Sequence, residues 1–430
     1  MATLSVGEKL FILRTHHGIS ENEFGSIAGT DSQIVKAVER GEIAYTEVQE
    51  RRLRKRLRLE GLPLSKEECA VSKEDLYRCR DFIRGGNLTE ARKIYESMVN
   101  ISYLEPCDPD MVLLFRMFEA QMLIAEGDYD TAKDKLDDAR DYMDRANKEN
   151  RYHYNYSLGL LGCFQGDYDS GTAFFEKAYE ILNDNKDILP EDDVRLYYNI
   201  TMCYTYIGKP YKAIFFTDKT LRMYPEDRKV NHHLNLGIGL AINYIKVNRL
   251  SEAEKLFDKH MVKAKSTKDG VYIGRVSFGL GYLFEIRENW DLAIDYFNQA
   301  LKYLPKDTDN YFASLFHKIC CIIKNKKFSS AEREINKAQD LCSTNELWII
   351  YFEAIEYYLA LSRRMATPNE VACKYIEVVA IPHFRQNHDH FIALEFCKLL
   401  SRHYDKIVQS KKASKIKSVI NDIYEWIFCW

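Results

Sequence analysis

The sequence predicts an all-α protein: a small head of three short helices, followed by a solenoid of repeated helix pairs. Three observations predict it. A phrase recurs along the chain, opening at Gly86 (G-N-L-T-E-A-R-K-I-Y), Gly127 (G-D-Y-D-T-A-K-D-K-L), Gly166 (G-D-Y-D-S-G-T-A-F-F), Gly208 (G-K-P-Y-K-A-I-F-F-T), Asn248 (N-R-L-S-E-A-E-K-L-F) and Asn289 (N-W-D-L-A-I-D-Y-F-N). The starts at 86, 127, 166, 208, 248 and 289 are 41, 39, 42, 40 and 41 residues apart, a period that marks stacked helical repeats. Ahead of the repeats, residues 6–41 break into three short capped helical patterns.

Each recurrence is a tight turn followed by a helix with a small residue near its start. Ala91, Ala132, Ala213, Ala253, Ala293 and Ala331 hold that place, and Gly171 and Thr172 precede Ala173 in the irregular copy. A small side chain there lets paired helices approach closely. Lys327 opens a further copy. The inner helix of each pair is expected near 110–126, 151–165, 192–207, 230–247, 270–287 and 309–325, with prolines 106, 109, 190, 225, 305 and 368 between helices. Such an array leaves a concave face lined by the first helix of each pair.

In the head, Val6, Leu10, Phe11 and Leu13 are at helical spacing and Gly18 ends the run. Ser20 caps a second helix bearing Phe24, Ile27 and Ala28, with Glu23 completing a capping box. Gly29 turns the chain, and Thr30 is placed to cap a third helix carrying Ile34, Val35 and Val38, closed by Gly41. The last two helices form a helix-turn-helix pattern. R-R-L-R-K-R-L-R follows at 51–58, and Pro63 with Ser65 sets a boundary near residue 64. The domains are therefore read as 1–62 and 65–430.

Composition narrows the function classes. A chain of 430 residues with 46% hydrophobic and 13% aromatic side chains is folded, and a formal charge of -3 gives no global attraction to nucleic acid or membrane. The 11 cysteines show no C-x-x-C pair, which suits buried reduced thiols in the cytoplasm. Neither a signal peptide nor an 18-residue apolar run is present, so no membrane role is expected. No phosphate-binding glycine loop, nucleophile elbow or zinc-hydrolase motif emerges, so neither an enzyme nor a cofactor is expected. His383, His388 and His390 do not share a helical face and read as satisfied or solvent-facing, not as metal ligands.

The charges of the head point two ways. Residues 1–50 hold 4 bases against 8 acids, a net of -4, whereas DNA binding draws on phosphate neutralisation. Residues 51–58 then add six positive charges, with Leu53 and Leu57 on one face. That segment is either a linker helix along a DNA backbone, offering Arg51, Arg54, Lys55 and Arg58, or a solvated helix whose arginines pair with the acidic head. On the third helix Ser32, Gln33 and Lys36 are placed to read base edges and Arg40 to meet phosphate. The terminal segment, with seven bases against Asp405 over 398–417 and apolar Ile416, Val419, Ile420, Ile423 and Ile427, caps the array or pairs two subunits.

The run G-I-S-E-N-E-F-G-S-I-A-G-T-D-S-Q-I-V-K-A-V-E-R-G resembles the helix-turn-helix of the lambda-repressor and Xre-like class. Followed by repeats of about 40 residues, the chain resembles the Rgg, Rap, NprR, PlcR and PrgX peptide-sensing regulators of Gram-positive bacteria, the NprR type most of all. The resemblance implies a right-handed α-solenoid of tetratricopeptide-like repeats. It implies a homodimer or higher oligomer that binds double-stranded operator DNA through the head and a short signalling peptide in the concave channel. In the related receptors, asparagines on the inner helices hold the peptide. That role carries to Asn199, Asn235, Asn155 and Asn231, with Tyr152 and Tyr198 beside them. Glu21 departs from the family, which commonly has Gln there and so a hydrogen-bond donor for phosphate. The Rap branch also implies an alternative, a module that sequesters a response-regulator protein with weak or no DNA binding.

Overall fold

The computed structural model describes residues 10–12, 14–15, 18–56, 66–100, 109–184, 190–223, 230–342 and 345–428. Every regular element among them is helical, and the chain divides into two compact units, Met1–Leu196 and Tyr197–Trp430. The expected boundary near residue 64 lies outside the described residues.

The first unit opens with the head. Residues 10–12 and 14–15 are helical, and α1 (Glu21–Ala28), α2 (Ser32–Glu39) and α3 (Glu47–Arg56) follow. The Ser20 hydroxyl accepts from the Glu23 N–H, as the cap pattern requires. At α2 the cap is Asp31, whose carboxylate accepts from the N–H groups of Gln33 and Ile34; this corrects Thr30, one residue out of register. Gly29 has φ 74° between the two helices, a left-handed conformation that favours glycine. Phe24, Ala28, Val35 and Leu53 close the head core, and Leu53 brings α3 against α1. Arg14 and Glu39 form a buried fork, with Nε to Oε1 at 2.6 Å and Nη2 to Oε2 at 2.9 Å.

Helices α4 (Lys66–Arg84) with α5 (Leu88–Asn100), α6 (Pro109–Glu126) with α7 (Tyr129–Ala139), and α8 (Lys148–Phe164) with α9 (Tyr168–Asn183) are antiparallel pairs. The head is seated on them. Arg116 Nη2 of α6 donates to Thr15 Oγ1 at 2.7 Å and to the Ile12 carbonyl at 3.3 Å, and Phe11 stacks on Tyr142 at 5.5 Å. One apolar cluster runs from Leu10 and Phe24 to Phe118 and Leu136. Head and first repeats thus share a core.

Helix α10 (Pro190–Tyr206) carries the division between the units. The second unit continues with α11 (Pro210–Met223), α12 (Val230–Lys246), α13 (Leu250–Thr267), α14 (Gly270–Ile286), α15 (Trp290–Tyr303), α16 (Asp309–Lys324), α17 (Phe328–Leu341) and α18 (Glu346–Arg363). A helix at Glu370–Tyr375 (α19) passes through a π turn at Ile376–Ala380 into Ile381–Gln386 (α20), and α21 (His390–Lys406) and α22 (Ser410–Phe428) end the chain. The six expected inner helices are α6, α8, α10, α12, α14 and α16, each beginning within three residues of expectation.

One backbone device sets the repeat. A residue with φ between 56° and 87° ends the inner helix at Gly86, Gly127, Gly166, Gly208, Asn248, Glu288, Lys326 and Val408, and the same turn at His388 leads from α20 into α21. The next N–H reaches back to close the turn, as in Asp167 to the Gly162 carbonyl at 2.8 Å and Gln409 to the Tyr404 carbonyl at 2.9 Å. Five residues beyond each turn lies a buried small residue: Ala91, Ala132, Gly171, Ala213, Ala253, Ala293, Ala331, Ala393 and Ala413. In the irregular copy the register position is Gly171. A Cβ there would stand 2.8 Å from Cys163 Sγ and 3.1 Å from the Gly159 carbonyl, so only glycine fits.

The same device explains the histidines. His388 is a left-handed turn residue and His390 begins α21. His390 is buried with neither ring nitrogen hydrogen-bonded, which corrects the expectation of a satisfied histidine; burial and then neighbouring positive charge push it down to about 4. At Val408 the turn conformation is forced on a β-branched residue, φ 60°, with the side chain 83% exposed and making no core contact. Val408→Gly is therefore expected to raise stability by about 1 kcal/mol, because relief of strain exceeds the entropy that glycine adds to the unfolded chain. Urea unfolding of the two proteins checks the sign.

Candidate functional site

Two surfaces carry the residues that the sequence marks. On α2, Gln33, Lys36 and Arg40 share the face opposite Val35 and Val38. Gln33 is exposed and Ser32 half-buried. Lys36 is ion-paired to Glu21 at 3.0 Å, and Arg40 donates to the Lys36 carbonyl at 3.2 Å and lies 3.4 Å from Glu42. On α3, Arg51, Arg52 and Lys55 are exposed and have no carboxylate partner among the described residues. Their charge is not consumed by the acidic head. The side chain of Arg54 and all of Arg58 lie outside the described residues.

The second surface is the inner side of the second unit. Tyr198 on α10, Asn235 on α12 and Arg275 on α14 meet there. Arg275 Nη1 donates to Asn235 Oδ1 at 3.0 Å, and the Tyr198 hydroxyl hydrogen-bonds Asn235. Burial raises the Tyr198 hydroxyl above its usual range, partly offset by that hydrogen bond. Arg275 Nε is buried with no acceptor, a donor left over beside the Asn235 amide. Asn235 and Tyr198 were marked by the sequence; Arg275 was not, although it lies one repeat of 40 residues beyond Asn235.

The other marked residues have different fates. Asn199 is half-buried on α10. Asn155 belongs to the first unit, and its amide donates to the carbonyl of Arg151, one turn back in its own helix, at 2.8 Å. Tyr152 is fully buried and stacks on Tyr156 at 5.9 Å; its ring fills the helix core, which corrects its place among ligand-facing residues. The side chain of Asn231 lies outside the described residues.

Further along the inner side is an ionic cluster that sequence spacing does not announce. Glu285 on α14 contacts His317 Nδ1 at 2.7 Å and Lys324 Nζ at 3.1 Å, both on α16. Lys324 also meets Glu395 of α21 at 3.3 Å, and Glu395 accepts from the Tyr358 hydroxyl of α18 at 3.0 Å. Burial pushes the Glu285 carboxyl up, but Lys324 and His317 outweigh it and hold the group at about 2. A cavity of about 780 Å³ opens beside this cluster, between the ends of α14, α16 and α18 and the flank of α21.

The second unit also folds back on itself. Trp426 Nε1 of α22 donates to the Ile207 carbonyl at 3.3 Å. Lys209 Nζ donates to the Trp426 carbonyl and lies 4.5 Å from its indole, and Tyr211 meets Phe428 at 5.8 Å. Of the two roles expected for the terminal helix, this geometry displays the cap: α22 packs on α21 and on the first turn of the unit. No described helix is long and apolar enough to cross a membrane, and the eight described cysteines are free thiols.

A polar stripe on successive inner helices can hold an extended chain, since amide and guanidinium groups satisfy backbone carbonyls while apolar walls take side chains. Comparison with known proteins bears on the fold that carries this stripe. The chain is 20% identical over 337 residues to the transcriptional activator NprA of Geobacillus stearothermophilus, covering 76% of this chain and 82% of that one. It is a relative of the NprR and Rap regulators. NprR solved in complex with its cognate peptide NprX superposes with a TM-score of 0.61 at 18% identity, covering 84% of this chain and 99% of NprR. A Rap protein complexed with Competence and Sporulation Factor superposes at 0.66 and 13% identity, covering 83% of this chain and 99% of that one. No family model matches the chain. At these identities the solved structures attest the fold: the helical repeat architecture is that of NprR and Rap proteins.

Proposed function

We propose that this protein is a peptide-responsive transcription regulator. Its head binds operator DNA, and the inner face of its repeats binds a short signalling peptide through Asn235, Tyr198, Arg275 and Asn199. The observation that carries the reading is the joining of a helix-turn-helix head to an NprR-like array with a polar stripe on consecutive inner helices. NprA is named a transcriptional activator and NprR is solved with a peptide, which supports both halves. The head shares its core with the first repeats through Arg116 and Phe11, so a change in those repeats has a physical route to the head. Two heads on a two-fold operator are the arrangement expected of a dimer. No catalytic step is part of this reading.

A second reading has its own observation. Lys36 is engaged by Glu21, and the head is acidic apart from α3. A head of this kind suits a module that holds a response regulator or other protein, with DNA binding weak. Selection of genomic fragments by the full chain, with and without peptide-containing culture extract, separates the two. Recovery of one operator sequence supports the regulator, and recovery of random fragments supports the protein-binding module.

The DNA half makes a sharper prediction. Arg51→Ala with Lys55→Ala is expected to weaken specific and nonspecific duplex alike and to lower the slope of log affinity against log salt by about 1–2. Gln33→Ala is expected to change the preferred operator instead. Fluorescence anisotropy across a salt series measures the first. An unchanged slope removes α3 from the interface.

A further inference from the structure

The cavity beside the ionic cluster has an uneven charge balance. Lys324 is taken by Glu285 and Glu395, and Lys417 by Asp405 at 3.1 Å. What is left on the walls is Glu288 against Lys326, Lys398 and Arg402, all exposed and none of the three cations with a carboxylate partner among the described residues. Lys398 and Arg402 are one turn apart on α21, so their side chains rise from the same face within reach of one small anion. Arg402 donates through Nε to the Lys398 carbonyl at 3.2 Å, which steadies the guanidinium and leaves its other N–H groups free. Apolar Ile323, Phe328, Met365, Leu399 and Ile420 complete the lining. The volume, about 780 Å³, lies in the range of small-ligand sites.

We propose that this cavity is an anchor for the C-terminal carboxylate of the peptide, held between Lys398 and Arg402 with the last apolar side chains on the floor. The inference rests on the peptide-sensing reading and deepens it, adding an end-reading pocket to the Asn235 stripe. A free carboxylate fits for two reasons. It is planar and matches the guanidinium fork, and it supplies the charge that the two cations lack. On this reading the pocket favours a free-acid peptide over the same peptide with its C-terminus amidated.

The test uses the full chain and a pool of random heptapeptides synthesised as free acids. Peptides retained by the wild-type protein on size exclusion are identified by mass spectrometry, then remade with C-terminal amides. The amides are expected to bind at least tenfold more weakly. Lys398→Gln with Arg402→Gln is expected to erase the difference between acid and amide, while Lys398→Arg with Arg402→Lys keeps it. Both positions are exposed, and matched thermal melts show that the variants fold. Equal binding of acid and amide, or full affinity in the double glutamine variant, overturns the anchor and leaves peptide sensing intact. Retention of no peptide by the wild-type protein removes peptide sensing, and the anchor with it.

Discussion

Glu285→Ala is expected to destabilise the second unit by about 3–5 kcal/mol, because it strips one partner from a buried ion cluster. The carboxylate is 6% exposed and receives His317 and Lys324 together. Without it, Lys324 keeps only Glu395 at 3.3 Å, and its ammonium stays buried with its charge half-compensated. In the wild type, coulombic attraction to Glu285 and then Glu395 holds the Lys324 ammonium well above its usual range against burial, and the variant loses the larger of the two attractions. Removing both partners together, Glu285→Met with Lys324→Met, is expected to cost less than the single change. The effect also has a pH signature. The folded-state carboxyl sits at about 2 and the unfolded one near the ordinary glutamate value of about 4.3, so its folded pKa is depressed. Its contribution is present in full above the unfolded value and is lost as pH falls from about 4 towards about 2. Urea unfolding of wild type and Glu285→Ala at pH 7 and pH 2.5 should show the gap narrow in acid. A gap that stays constant would assign the loss to packing alone.

Asn235→Ala is expected to lower peptide affinity by roughly 5- to 150-fold, the equivalent of about 1–3 kcal/mol for a desolvated backbone group left unpaired. Arg275 and Tyr198 orient this amide before any ligand arrives, so little ordering is required on binding. Asn199→Ala is expected to act in the same direction, and Arg275→Ala more strongly, since it removes both the orienting bond and the spare Nε donor. Peptide-free DNA binding should change little, because none of these side chains lies in the unit that holds the head. Calorimetric titration with a peptide recovered from the pool measures all three. Wild-type affinity in both asparagine variants would place the ligand elsewhere.

Much of the architecture was legible because it is local. The turn, the left-handed residue and the small residue five places on depend on neighbours within one helix pair, and their spacing is legible even where Asn248 replaces glycine; the openings read at Asn289 and Lys327 fall one residue after the left-handed Glu288 and Lys326, and the turn at Val408 carries no phrase that marks it. The head was legible for the same reason. Ser20, Gly29 and Gly41 punctuate it, and only the choice of Asp31 over Thr30 as cap slipped, because adjacent oxygen-bearing side chains compete for the same N–H groups. Tyr152 shows where locality fails. A tyrosine on an inner helix can face the channel or the partner helix, and a few tens of degrees of helix rotation decides which.

The sequence by itself determined an all-helical chain, its period, the head and the kind of regulator it resembles, since periodicity and caps are written residue by residue. Only the tertiary structure decided which inner side chains meet. Arg275 with Asn235, Glu285 with Lys324 and Trp426 with Ile207 are separated by 40, 39 and 219 positions. Their encounter depends on how each helix pair is rotated on the last, a small angle that accumulates over the repeats and leaves no mark in the residues themselves.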